Sequence, residues 1–375
     1  MSIFKKLVRK IHLWLGLTTG LLVFIIALTG CIYAFQEEIQ NATESYRHVT
    51  PKEASFIPPS EVEKIARKIM PDKKLHAIQY KGPDKAIEAI YFHYEPSYYH
   101  IAHIDPYDGT VLNLRDEYAT FFRFILDGHF YLWLPPEIGQ PVVASITLIF
   151  LIMMISGLIL WIPKKYKDFK SRLRFQWKPQ TKWRRKNYDI HQIIGFYSLL
   201  FGIFFSITGL VWGFPWFAEA YHKSWGAETS LIYEEPEASP IATERQGAAL
   251  DAVWTIMRKE YPEVKSIEVH PPEAKNSPIA ANANYKEGTY WKIDYRYFDG
   301  NTLKELEVDH IYGRLANDRL GDRVVKMNYD LHTGAVLGIG GKVVAFLASL
   351  AILILPISGT LIWWGRRKKG LKRKA

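Results

Sequence analysis

Four stretches of this chain stay apolar for longer than a buried core helix requires. Residues 13–35, 142–162, 193–217 and 343–364 each run for more than 20 positions without an Asp, Glu, Lys or Arg. At a rise of about 1.5 Å per residue, each is long enough to cross the ~30 Å of hydrocarbon in a bilayer. The pattern therefore predicts four transmembrane helices. Gln36-Glu37-Glu38 follows the first run with no small-x-small cleavage site, so that run reads as an anchor that stays on the chain.

Between the runs the period changes. Residues 58–75, PPSEVEKIARKIMPDKKL, open on a Ser60 cap with Glu63 three positions later, and Val62, Ile65, Ala66 and Ile69 recur at helical spacing. AIEAIYFHYE (86–95) and YYHIAHIDPYDGTVLNL (98–114) then alternate as strands do. The same order returns in GAALDAVWTIMRKEYPEVKSIEV (247–269) and TYWKIDYRYFDGNTLKELEV (289–308), with the turn at Asp299-Gly300-Asn301 answering the one at Asp105-Pro106-Tyr107-Asp108-Gly109. Residues 231–247 read as an exposed loop.

The likeness extends into the spans. IHLWLGLTTGLLVFIIALTGCIYAF from Ile11 and IHQIIGFYSLLFGIFFSITGLVWGF from Ile190 align without a gap and share Ile-His, a Gly four residues after the His, Thr-Gly near the far end and a closing Phe. Runs two and four share ISGLILW and ISGTLIWW, and His129 and His332 stand 28 and 27 residues before their glycines. The fold class expected is an integral membrane protein: a four-transmembrane-helix bundle with an internal two-fold repeat, plus two small α+β external domains. Its parts are 1–36 (first span with its N-terminal lead), 37–139 (external domain), 140–163 (second span), 164–189 (basic loop), 190–217 (third span), 218–340 (external domain), 341–365 (fourth span) and 366–375 (basic tail).

Charge gives the orientation. The 375-residue chain has a net charge of +10, and 22 of its 48 Lys and Arg fall in segments 1–11, 163–190 and 366–375, against only Asp168 and Asp189 there. By the positive-inside rule these segments are cytoplasmic and both long intervening segments lie outside. The basic balance then reflects lipid headgroups and topology, with no nucleic-acid partner implied. A single cysteine, Cys31, lies within the first run and forms no intrachain disulfide.

The repeated histidines are the candidate chemistry. Gly16 lies one turn above His12 and Gly195 above His191, while Gly30 and Gly209, 18 residues on, return to the same helical stripe about 27 Å away. His129 and His332 precede spans on the outer side, where Gly30 and Gly209 arrive, and Gly157 and Gly359 fall near His12 and His191. Two readings meet here. Small residues on a stripe also serve close helix contact, and a His at a span's end also sits in the headgroup zone. A flat macrocycle between two imidazoles needs the same vacant space, and bis-imidazole ligation of two haems, one per leaflet, accounts for all four positions together. His93, His100 and His103 lie on strands, where positions three apart point to opposite faces, and read as sheet residues. His76, His270 and His310 have no counterpart in the other half. Tyr131, Trp133, Trp212, Trp216 and Trp225 form aromatic rims, read first as an interfacial belt and second as a guide for a bulky chelate.

RKIHLWLGLTTGLLVFIIALTG, YDIHQIIGFYSLLFGIFFSITGLVW and NYDLHTGAVLG together resemble the PepSY-associated transmembrane family, also called iron-regulated membrane proteins, over essentially the whole chain. The resemblance implies PepSY-like periplasmic domains over four helices in the bacterial inner membrane and two haem b groups. It implies His12 with His191 as iron ligands on the cytoplasmic side and His129 with His332 on the periplasmic side. It further implies a reductase of ferric siderophores, for which the electron donor expected here is a quinol or a cytoplasmic reductase. The family often has a longer His-bearing motif before the second span, where this chain has DGHFYLWLP. Two other classes remain open: a non-enzymatic membrane-anchored PepSY sensor or peptidase regulator, and a permease partner, for which the spans lack broken helices and midplane charges. No nicotinamide or flavin fingerprint is present, so electrons would come from another molecule.

Overall fold

The computed structural model describes residues 2–371; residues 372–375 of the expected basic tail lie outside the described residues. The helices are α1 (Ile3–Tyr33), α2 (Gln36–Thr43), α3 (Pro59–Ile69), α4 (Phe121–Tyr131), α5 (Pro136–Trp161), α6 (Trp183–Tyr197), α7 (Leu199–Gly213), α8 (Pro215–Ser224), α9 (Thr243–Glu260), α10 (Leu320–Lys326), α11 (Asn328–Thr333) and α12 (Gly338–Leu371). Strands β1 (Ala77–Tyr80), β2 (Ile87–His93), β3 (Tyr98–Ile104) and β4 (Val111–Asp116) follow α3; β5 (Ser266–His270), β6 (Ile279–Asn284), β7 (Ile293–Phe298) and β8 (Glu305–Leu306) follow α9. The described residues fold into two compact units, one of residues 2–36, 124–221 and 331–371, the other of Glu37–Arg123 and His222–Asp330.

In the first unit, α1, α5 and α12 are each long and apolar enough to cross a membrane. The third span expected at 190–217 is not one helix. α6 and α7 together satisfy the length and hydropathy of a span, but they meet at 57°. The cause sits at Ser198, whose Oγ turns back to the Ile194 carbonyl at 2.7 Å, with Gly195 and Gly202 either side. Back-bonding hydroxyls and Gly/Ser pairs are recurrent sources of helix bends. The straight stripe from His191 to Gly209 is therefore interrupted, whereas α1 carries His12 to Gly30 unbroken. α1 packs on α5 and α12, α6 on α12, and α7 on α5, around Val23, Ala27, Ile146, Phe150, Met154, Ile352 and Leu355.

The second unit corrects the expectation of two separate small domains. Its strands form one antiparallel sheet in the order β4-β3-β2-β1-β5-β6-β7-β8. The halves join where Ile78 pairs with Val269, Gln79 with Glu268 and Tyr80 with Ile267. Each half alone would expose the edge of β1 or β5, and pairing the two removes both edges. α3 and α9 pack together against one core of Val62, Ala66, Ile78, Ala89, Leu250, Val253, Met257, Val269 and Ala281. The Ser60 cap is also revised. Pro59 starts α3, where a missing N–H costs nothing, and Ser60 sits inside the first turn, donating from N (2.8 Å) and Oγ (2.7 Å) to Asp251 of α9. The two turns do correspond: Asp105 and Asp299 accept from backbone N–H groups two residues on, and the residues four beyond them, Gly109 and Leu303, both have positive φ.

The boundaries shift too. Most of α4, expected in an external domain, belongs to the unit of the spanning helices, as does the chain from Leu331.

Candidate functional site

All four repeated histidines fall in the first unit, and they come together in two pairs. His12 of α1 and His191 of α6 have ring centres 6.4 Å apart, and His129 of α4 and His332 of α11 have ring centres 6.2 Å apart. His129 and His332 both ride on short helices that precede a long one. Leu132 and Trp133 take positive φ after α4, and the Trp133 indole folds over Gly128 and donates to the Phe124 carbonyl. Gly334, at φ 79, stops α11 one turn before α12 begins. The two pairs lie at opposite ends of α1, since the 18 residues from His12 to Gly30 span about 27 Å.

Each ring rests on a glycine of a neighbouring helix. A Cβ at Gly157 would stand 3.4 Å from His12, at Gly359 3.3 Å from His191, at Gly30 3.0 Å from His129 and at Gly209 3.6 Å from His332. The residue before each glycine is a Ser or Thr, and it lies at the same ring's Nδ1. Ser156 is 2.8 Å from His12 Nδ1, Ser358 2.9 Å from His191, Thr208 2.8 Å from His332 and Thr29 3.4 Å from His129, which also meets the Ile26 carbonyl at 2.9 Å. These hydroxyls were missed in the sequence. Their signal was there, as a Ser/Thr-Gly dipeptide in each apolar run, but spacing along one helix does not reveal which ring a neighbouring helix brings. Gly16 and Gly195 do something else: their open sides meet Met153 at 3.1 Å and Leu355 at 3.6 Å. They serve the seams of α1 with α5 and of α6 with α12.

With Nδ1 engaged in all four rings, Nε2 carries no hydrogen bond to a described residue. Two imidazoles that shared one metal through nitrogens at about 2.0 Å, each roughly 1.1 Å from its ring centre, would have centres about 6.2 Å apart. Both pairs have that spacing, and a carbonyl or hydroxyl at the other ring nitrogen is the usual support for a ligating His. Aromatic rings surround the outer pair: Trp212 at 5.4 Å and Phe205 at 5.5 Å from His332, and Phe130 at 5.9 Å from His129. Of the other rim residues, Tyr131 packs on Phe130, Trp133 stacks on Phe124, and Trp216 and Trp225 are exposed.

The remaining histidines lie in the second unit. His103, opposite Glu88, and His100, opposite Tyr91, face opposite sides of β3. His103 is fully buried, 4.8 Å from the Tyr46 ring, and burial pushes its imidazole down to about 4. Burial by itself would raise the Glu88 carboxyl, but the nearby Lys81, His103 and Arg47 charges bring it down to about 2. His76 and His270 meet across the seam between the halves with centres 5.0 Å apart, His270 bonded to Glu268 at 2.9 Å.

The family model for the PepSY-associated TM region matches residues 9–366 of the chain. None of the curated proteins matches it.

Proposed function

The chain belongs to the PepSY-associated TM region family, and from that premise we propose that it is an inner-membrane electron-transfer protein that binds two haem b groups and reduces Fe(III) held by a siderophore in the periplasm. Four spans in a bundle, two alike halves and cytoplasmic termini belong to this proposal. The 22 Lys and Arg gathered in 1–11, 163–190 and 366–375 support the orientation. The observation that carries the reading is the fourfold agreement at the rings: four histidines in two pairs at metal-sharing distance, each laid on a glycine and each held at Nδ1.

Haem b bound to paired imidazoles supplies reversible one-electron chemistry at iron. The protein's part is positional. His12 and His191 present Nε2 to one site, His129 and His332 to the other, and Gly157, Gly359, Gly30 and Gly209 leave room at the imidazole edges. Phe130, Phe205 and Trp212 keep water from the outer pair. The substrate follows from hard–soft matching: oxygen chelators hold Fe(III) well and Fe(II) poorly, so one electron loosens the metal without breaking the chelator. The donor is a quinol or a cytoplasmic reductase.

A reduced-minus-oxidised spectrum of the purified full chain, with haem quantified, tests the reading. Two haem b per chain are expected, falling to one in His12→Ala or His191→Ala and to one in His332→Ala. Mixing the reduced protein with a ferric hydroxamate should reoxidise it. A chain produced with ample haem that shows no haem b band overturns the proposal in favour of the non-enzymatic PepSY module.

A further inference from the structure

A hydroxyl has one proton, so where that proton points decides what a neighbouring imidazole must do. In Thr208 it points back along α7, with Oγ1 2.8 Å from the Phe204 carbonyl and 3.3 Å from that of Phe205. The 2.8 Å contact of the same oxygen with His332 Nδ1 then has one arrangement: Nδ1–H donates and Oγ1 accepts. That tautomer leaves Nε2 as a bare lone pair, the form a metal needs.

The other three rings reach the same tautomer differently. Ser156 Oγ donates to the Met153 carbonyl at 3.0 Å and Ser358 Oγ to the Ile354 carbonyl at 2.9 Å, so both accept from their histidines. His129 leans on the Ile26 carbonyl at 2.9 Å. Thr29 Oγ1, 3.4 Å away, is directed at the Ile25 and Ile26 carbonyls at 2.8 and 3.0 Å. Among the described residues, His332 is therefore the ring of the outer pair whose Nδ1 meets a hydroxyl and no carbonyl, whereas His129 has the Ile26 carbonyl.

We propose that Thr208 is the positioning residue of the outer site: its hydroxyl fixes His332 as the Nδ1–H tautomer and so presents Nε2 to an iron shared with His129. Ser156 and Ser358 hold the inner rings through the same kind of hydroxyl, and Thr29 has no part in the outer task, which the Ile26 carbonyl performs for His129. The inference rests on the haem reading and separates Thr208 from Thr29, which look equivalent in the sequence. Outer-shell partners of this kind change metal retention by about 10–100-fold.

The test uses the full chain purified with haem, following haem transfer to excess apomyoglobin, haem stoichiometry and the electron paramagnetic resonance of the oxidised protein. Thr208→Val, which keeps the shape, and Thr208→Ala, which favours the helix, are each expected to release one of two haems about 10–100-fold faster. Each should also perturb one low-spin signal and leave the other unchanged. Thr208→Ser should behave as the wild type, and Thr29→Val likewise. Wild-type release and spectra in whichever of the two hydroxyl-free variants accumulates would overturn the proposal, as would an equal acceleration in Thr29→Val. A wild-type chain that holds no haem sinks the haem reading itself, and is told apart because no variant is needed to see it.

Discussion

The glycines under the four rings are not interchangeable, because the space beyond each differs. A Cβ at Gly30 would stand 3.0 Å from His129, tighter than ordinary contact, while at Gly209 it would be 3.6 Å from His332, within normal van der Waals range. Gly30→Ala should therefore displace its imidazole and reduce outer-site haem, and Gly209→Ala should leave occupancy near that of the wild type; haem counted per chain distinguishes them. His103 makes a separate prediction about pH. An unfolded His near 6.5 takes a proton between pH 6.5 and 4 that the buried ring, held at about 4, refuses. Stability is full above that window and falls as pH drops through it, by up to about 1.4 kcal/mol per pH unit. His76, His100 and His310 are also lowered by burial and add to the slope. Chemical unfolding in detergent at pH 7 and pH 5 should show the loss, and His103→Gln should flatten it.

Among the elements, α3 and α9 show how a sequence signal can be right in kind and wrong in role. Ser60 looked like a cap because Ser three residues before a Glu commonly is one. The structure gives the start of the helix to Pro59 and uses Ser60 to bind Asp251, 191 residues away. Asp251→Ala removes the acceptor of a backbone N–H and a hydroxyl together. It should cost about 1–3 kcal/mol, read as a lower midpoint of unfolding, with Asp251→Asn recovering part. The third span was legible in composition but not in shape, since 193–217 is apolar throughout and only the Ser198 turn to Ile194 shows where it bends.

On the scale of the whole molecule, the proposed topology is open to direct labelling. Cys31, buried in α1, is the single cysteine, so Cys31→Ser gives a background free of thiols. Tyr166 is 91% exposed and Ile232 70% exposed. In that background, a membrane-impermeant maleimide added to intact spheroplasts should label Ile232→Cys and spare Tyr166→Cys until the membrane is opened. The reverse pattern would invert the orientation read from the Lys and Arg.

The sequence by itself determined the apolar runs, the helix-then-strands order that both halves repeat and the histidines that repeat between them, because these depend on local period and on likeness between segments. Tertiary structure alone decided three things. It merged two expected domains into one sheet, because β1 and β5 each present an edge that satisfies the other. It assigned Gly16 and Gly195 to helix seams and Gly30, Gly157, Gly209 and Gly359 to rings, because which side chain fills the space over a glycine depends on the neighbouring helix. It also separated Thr29 from Thr208, each the Thr of a shared Thr-Gly pair, through a difference of a few tenths of an ångström in what each imidazole reaches first.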